Sequence, residues 1–200
     1  MQKPQGYDEV TPGGEFESAT VGGHYAEIKQ VSETITKTNK EMIVVVFDLI
    51  NPDKQAGIFG RQFQNDDRFD RKWPYSGTMR VLVQDYSDPS KVSKSFKSFC
   101  TCTEKSNPGF TVGWGNNWGD QFRGKKIGIV YGEVEDDYNG ESRMYVNPRW
   151  FCDWDKVADA AVPKPKYKNA GSAATSAPTS AGAGSGAGTT SGINDEDIPF

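Results

Sequence analysis

Three stretches of this 200-residue chain carry residue types that could do chemistry, and in each of them rings alternate with cations. IFGRQF (58–63), read with a period of two, puts Phe59, Arg61 and Phe63 on one face. FDRKWPY (69–75) gathers Arg71, Lys72, Trp73 and Tyr75 in a loop-like setting, and GWGNNWGDQFRGKK (113–126) sets Trp114 and Trp118 among glycines ahead of Arg123, Lys125 and Lys126. A flat ring offers a stacking face to an unpaired base and a neighbouring cation meets the phosphate, an arrangement contributing about 1–3 kcal/mol per base. The competing reading makes Phe59 and Phe63 core residues with Arg61 snorkelling past them, and lets the glycine-rich loop fold its indoles over its own core. Arg143 and Tyr145, on the last strand, extend the same pattern.

Catalytic groupings are harder to find. No glycine-rich loop ends in Lys-Ser or Lys-Thr, and a Ser or Cys nucleophile has only one imidazole, His24, as a base. Glu133, Glu135, Asp136 and Asp137 resemble a metal-dependent nuclease set less than the solvated end of a hairpin. Cys100, Cys102 and Cys152 are an odd count at poor metal-ligand spacing and read as reduced thiols. The chain is expected not to be an enzyme and to need no cofactor and no metal.

Composition divides the chain. All 23 Lys and Arg and 24 of the 27 Asp and Glu lie in residues 1–192, a balance of −1, while residues 193–200 contribute −3 with no base. A nucleic-acid site on this chain is therefore a local patch rather than a basic surface. Residues 169–192 hold no charge, no aromatic residue and no large aliphatic residue, and so read as a disordered linker of 24 residues with an r.m.s. span of about 25–30 Å. No apolar run suggests a signal peptide or a membrane span, which points to a soluble, cytoplasmic protein without a membrane partner.

The elements that must position the rings follow from local pattern. Residues 1–22 read as a flexible arm. HYAEIKQV (24–31), MIVVVFDLI (42–50) and IFGRQF (58–63) read as three strands, with TMRVLVQDY (78–86) of uncertain type. Asp88 as N-cap and Pro89 at the first helical position open a helix with Val92, Phe96, Phe99, Cys100 and Thr103 on one face, which NPG (107–109) ends. KKIGIVYGEVE (125–135) and SRMYVNP (142–148) flank an Asn139-Gly140 turn. Three strands, a helix and a two-strand hairpin give a mainly β fold: a five-stranded, OB-fold-like barrel over residues 23–168 with one helix between strands three and four. An unrelated small barrel or an α+β sandwich produces a similar string.

The last eight residues, INDEDIPF, end in Asp195, Glu196, Asp197, Ile198, Pro199 and Phe200. A carboxylate run closed by an aliphatic residue and Pro-Phe, tethered by a Gly/Ser/Ala linker to a five-strand core, resembles the carboxyl terminus of bacterial and bacteriophage single-stranded DNA-binding proteins. The core is less similar: the insert at residues 64 to 87 and the near-neutral charge depart from the bacterial pattern and fit a phage-encoded member, and no tetramer is carried over, though a homo-oligomer is compatible. The resemblance implies an OB-fold core coating single-stranded DNA without sequence preference in the bacterial host cytoplasm, for replication, recombination and repair. It also implies a tip that docks a helicase, primase, polymerase or recombinase. Phe200 would fill an apolar pocket and the carboxylates would face a basic rim. An RNA-binding OB module of the cold-shock kind shares the ring platform and is the alternative; it has no use for the tip.

Overall fold

The computed structural model describes residues 17–138 and 141–168. Its organising strand is the β-branched run of β2 (Glu41–Leu49), in which Ile43, Val45, Phe47 and Leu49 point inward, each within 1 % of full burial, while Val44 and Val46 are only half-buried. Full burial of such side chains stabilises by about 1.5–3 kcal/mol each. On one side β2 pairs antiparallel with the long β1 (Gly22–Ile35), and on the other with β3 (Thr78–Leu82). The first half of β1 turns to a second partner, β4 (Lys126–Tyr138), which forms a ribbon with β5 (Glu141–Cys152). A bulge between Ile28 and Gln30 lets β1 serve both neighbours. The result is an open five-stranded antiparallel sheet in the order β3-β2-β1-β4-β5.

Two expectations need correction. IFGRQF is not a strand: Ile58–Gln64 is a short helix, α1, and the third strand is Thr78–Leu82. The cause sits at the end of β2. Asp48, 7 % exposed, accepts hydrogen bonds from the backbone N–H of Phe59 at 3.1 Å and of Gly60 at 3.1 Å, groups that the first turn of a helix leaves unpaired. Gly60 permits this approach, because a Cβ there would stand 2.7 Å from Asp48 Oδ2. A carboxylate eleven residues upstream of Phe59 is invisible to a periodicity argument.

The second helix, α2 (Lys94–Ser106), starts at Ser93, whose Oγ accepts from the Phe96 N–H at 3.1 Å, rather than at Asp88. Asp88 instead closes the preceding turn through Ser90, and Val92 lies outside the helix, 59 % exposed. Phe96, Phe99, Cys100 and Thr103 do form the buried face, and α2 closes the core against β4 and β5.

Part of the amino-terminal arm is fastened to the fold. Ala19 is 2 % exposed, Gln55 accepts from the Thr20 N–H, and both nitrogens of buried His24 face acceptors, Asp53 Oδ2 at 3.0 Å and the Thr20 carbonyl at 2.8 Å. Two oxygen acceptors favour the doubly protonated ring. Burial pulls the His24 pKa down, and the Asp53 hydrogen bond, then the Thr20 carbonyl, outweigh it and hold it above 6.5; burial raises Asp53, and the same bond leads the effects that hold it below 3.8. Residues 1–16, the Asn139-Gly140 turn, the linker 169–192 and the tip 193–200 lie outside the described residues.

Candidate nucleic-acid interface

The stretch between α1 and β3 carries two exposed rings, Phe69 and Tyr75. Trp73 is its anchor: its indole N–H reaches the carbonyls of Phe47 at 3.2 Å and Gly77 at 3.1 Å, and its ring packs against Phe63 at 5.6 Å. The Arg71 guanidinium lies over the Phe63 ring, 5.8 Å from its centroid. Above this base, residues 65–72 project into solvent. The Arg68 guanidinium grips Asp66 with contacts of 2.7–3.1 Å and holds the Asp66 carboxyl down to about 2, while the ring of Phe69 is exposed without cover.

After Trp73 the chain makes a 3₁₀ turn, Tyr75–Gly77, and enters β3. Tyr75 is 53 % exposed, and the Arg80 guanidinium lies 5.2 Å from its ring centroid. Arg80 is placed by the pleat of β3, in which Met79 and Val81 point into the core and Thr78, Arg80 and Leu82 away from it. Register continues this outward row across the sheet, from Arg80 to Val44 to Ser32. The same turn reaches the far strands, since the Tyr131 hydroxyl donates to the Ser76 carbonyl at 2.5 Å and β5 touches residues 75–77. The β4–β5 ribbon therefore stands beside the Tyr75 turn, with Tyr145 at 36 % exposure and Arg143 paired to Glu141 at 2.6 Å. Lys72, Arg80, Arg123, Lys125 and Lys126 form no ion pair among the described residues.

The candidates of the third expected strand separate. Phe59 lies wholly in the core, 6.0 Å edge-on from Phe47 and 6.4 Å from Tyr131, with no face left for a ligand. Helical spacing keeps Phe63 on its side, half-buried, and turns Arg61 elsewhere, to the Ala56 carbonyl at 2.7 Å and Glu17 at 3.3 Å. The proposed single face of Phe59, Arg61 and Phe63 does not exist.

The glycine-rich loop divides in the same way. Trp118 is 7 % exposed and packs between Phe96 at 5.5 Å and Phe122 at 4.5 Å, its indole nitrogen without a hydrogen-bond partner among the described residues. The turn carrying it presses on β1 so closely that a Cβ at Gly119 would stand 2.2 Å from the Val31 carbonyl. Trp114 lies nearly parallel on Trp118, 5.9 Å between centroids and 19° between planes, with 72 % of its surface in solvent. Arg123 is exposed; Lys125 sits over Phe110 at 4.7 Å and Lys126 over Trp154 at 5.2 Å. This second group belongs to the α2 side of the fold, apart from the Tyr75 turn.

Sequence reasoning missed Phe69, Arg80 and a further ring-cation pair, Lys40 over Tyr86 at 3.5 Å. Arg80 was detectable as the polar member of an alternating TMRVL. Phe69 was detectable as an aromatic residue flanked on both sides by charge. Nothing local marks Lys40 and Tyr86, which meet only because β2 and β3 pair.

The acidic end of the ribbon is occupied by the chain itself. Glu135 accepts from Ser142 Oγ and the Lys168 N–H, and Lys168 Nζ bridges Asp136 and Asp137 at 3.0 and 3.1 Å. Among the described residues no three His, Cys, Asp or Glu side chains are placed to hold a metal ion, the three cysteines are free, and no helix is long and apolar enough to cross a membrane. Neither a protein-family model nor a curated protein matches the chain.

Proposed function

We propose that the chain is a sequence-independent single-stranded DNA-binding protein. Its contact surface in this reading is the outward face of β3 and the Tyr75 turn, flanked by the Phe69 projection on one side and the β4–β5 ribbon on the other. The observation that carries the proposal is Tyr75 with Arg80 over it: a half-exposed ring beside a cation that forms no ion pair among the described residues, on the outward face of a sheet. A base stacks on such a ring while the guanidinium meets the adjoining phosphate. Phe69, Lys72 and Arg71 extend ring and charge along the path, and Trp114 with Arg123 offers a further stacking position for a strand that continues round the domain.

The fold supports an OB-like assignment without completing it. The strand order β3-β2-β1-β4-β5 with α2 between β3 and β4 is the order in which pairing of β3 with β5 would close a five-strand barrel, and β5 touches the turn at residues 75–77 that leads into β3. Residues 195–200, by their sequence, supply a ring and three carboxylates for docking replication, recombination or repair enzymes, carried on the linker of residues 169–192.

The test is intrinsic tryptophan fluorescence of the full chain titrated with oligo-dT and, separately, oligo-U of equal length. Quenching by oligo-dT that is absent from a Tyr75→Ala, Arg80→Ala double variant supports the assignment. Equal or tighter binding of oligo-U would move the protein to the RNA-binding class.

A further inference from the structure

Pairing of β1 with β4 starts at Gly22 opposite Tyr131, whereas β4 runs on to Tyr138, so beyond Tyr131 that edge of β4 is not covered by β1. Residues 163–168 take the place. Lys166 donates from its N–H to the Glu133 carbonyl at 3.0 Å and accepts from the Glu135 N–H at 2.8 Å, a parallel bridge opposite Val134. Pro163, buried, seats the start of the segment, where a Cβ on Gly132 would stand 2.3 Å from the proline Cγ. Lys168 seats its end, with its N–H on the Glu135 carboxylate at 3.0 Å and its ammonium on Asp136 and Asp137. The ribbon is therefore three strands wide: this strap, β4 and β5.

Charge gives the strap its consequence. Residues 133–149 hold five carboxylates and two guanidinium groups, a balance of −3 that repels phosphate, and Lys164, Lys166 and Lys168 bring it to zero. The three lysines are not equivalent. The Lys168 hydrogen bond leads the effects that hold the Asp136 carboxyl below 3.8, and the same bond, then that to Asp137, holds the ammonium above 10.5. Lys164 and Lys166 are exposed and form no ion pair among the described residues. Paired residues of neighbouring strands project from the same face, and register sets Lys166 beside Val134 and Val134 opposite Tyr145. Nearer the ribbon end the same face carries Arg143 opposite Asp136, with the Lys168 ammonium on Asp136. An exposed ring and an unengaged ammonium thus share one face, two strand spacings or about 10 Å apart.

We propose that Lys166 is the phosphate-binding partner of Tyr145, and that Lys168 is a positioning residue that fixes the strap and masks the acidic ribbon end from the nucleic acid. This rests on the reading of the chain as a single-stranded DNA-binding protein and adds a contact outside β3 and the Tyr75 turn. A base stacks on Tyr145 while the Lys166 ammonium takes the adjoining phosphate. Tyr145 has no such cation on its own strand, because Arg143 is paired to Glu141 at 2.6 Å. Backbone pairing of a segment twenty residues downstream supplies it.

The experiment is oligo-dT titration of full-length variants between about 50 and about 200 mM salt. Lys166→Ala is expected to weaken binding by about three- to tenfold and to reduce the slope of log K against log salt by about 0.7, the share of one phosphate contact on a single strand. Lys166→Arg should keep the wild-type affinity and slope. Lys168→Ala should weaken binding by about two- to fivefold, and Asp136→Asn, Asp137→Asn in the same chain should restore it, since the amides no longer need masking. An unchanged salt slope in Lys166→Ala overturns the proposal whatever the affinity does, as does a loss that Lys166→Arg shares. A Lys168→Ala defect that the two amides fail to reverse overturns the masking role. Loss of oligo-dT binding in the Tyr75→Ala, Arg80→Ala variant beside an unaltered Lys166→Ala would sink this inference and leave the single-strand reading standing. A wild-type chain that does not bind oligo-dT removes both.

Discussion

The stretches 69–75 and 113–126 have nearly the same ingredients, rings among cations and loop-forming residues, and the fold treats them alike in one respect: each gives up a tryptophan to the interior and leaves another ring outside. Trp73 is tied down by two backbone carbonyls and Trp118 by a cage of phenylalanines, whereas Phe69, Tyr75 and Trp114 face solvent. They differ in what surrounds the exposed ring. Tyr75 has the Arg80 guanidinium over it and a β-sheet face beside it, while Trp114 lies on another indole. Composition marks a patch; anchoring decides which ring within it is available to a ligand.

Substitutions can break or sharpen that contrast. The largest effect is expected from Trp118→Ala, which removes a buried ring from the α2 core and should cost about 3–5 kcal/mol in urea unfolding. Trp73→Ala comes next, at about 2–4 kcal/mol, because a half-buried indole and two hydrogen bonds are lost together. If either variant kept its melting temperature while losing oligo-dT binding, the assignment of that ring as structural would fail. Tyr75→Ala should do the opposite, weakening oligo-dT by about 5- to 150-fold, which follows from about 1–3 kcal/mol of stacking, with little change in thermal stability. Phe69→Ala and Trp114→Ala are each expected to weaken oligo-dT by less than tenfold, since single peripheral stacks sit at the low end of that range.

A smaller effect concerns pH. The imidazolium of His24, held above its ordinary 6.5, contributes stability that is complete below 6.5 and is lost as pH rises through the raised value; Asp53, held below 3.8, contributes stability that is complete above 3.8 and is lost as pH falls through the lowered value. Unfolding free energy should therefore be highest between about pH 4 and 6.5 so far as this pair governs it. His24→Gln should flatten the decline on the alkaline side, and a variant with an unchanged slope there would show that the pair does not carry it.

How far the sequence could be read depended on the range of the interactions. The β-branched run of β2, the pairing of the last two strands and most of the buried face of α2 were legible because hydrophobic period is local. IFGRQF misled because its alternation is also compatible with a helix, and the deciding partner is Asp48, far upstream in sequence. α2 began later than expected because Asp88 and Ser93 are both good caps and only Ser93 is followed by an uninterrupted helical face. Within the candidate site, Tyr75, Lys72 and Trp114 were named from ring-cation interleaving alone. Arg80, Phe69 and Lys166 were not, since their significance comes from strands and helices distant in sequence arriving side by side.

The most direct test of the central claim is competition for labelled oligo-dT by unlabelled single strands and by duplex of the same length, at about 50 mM and about 200 mM salt. The account predicts that single strands displace the label at concentrations at least a hundredfold below duplex, and that both affinities fall as salt rises. Duplex competing as well as single strands would contradict it.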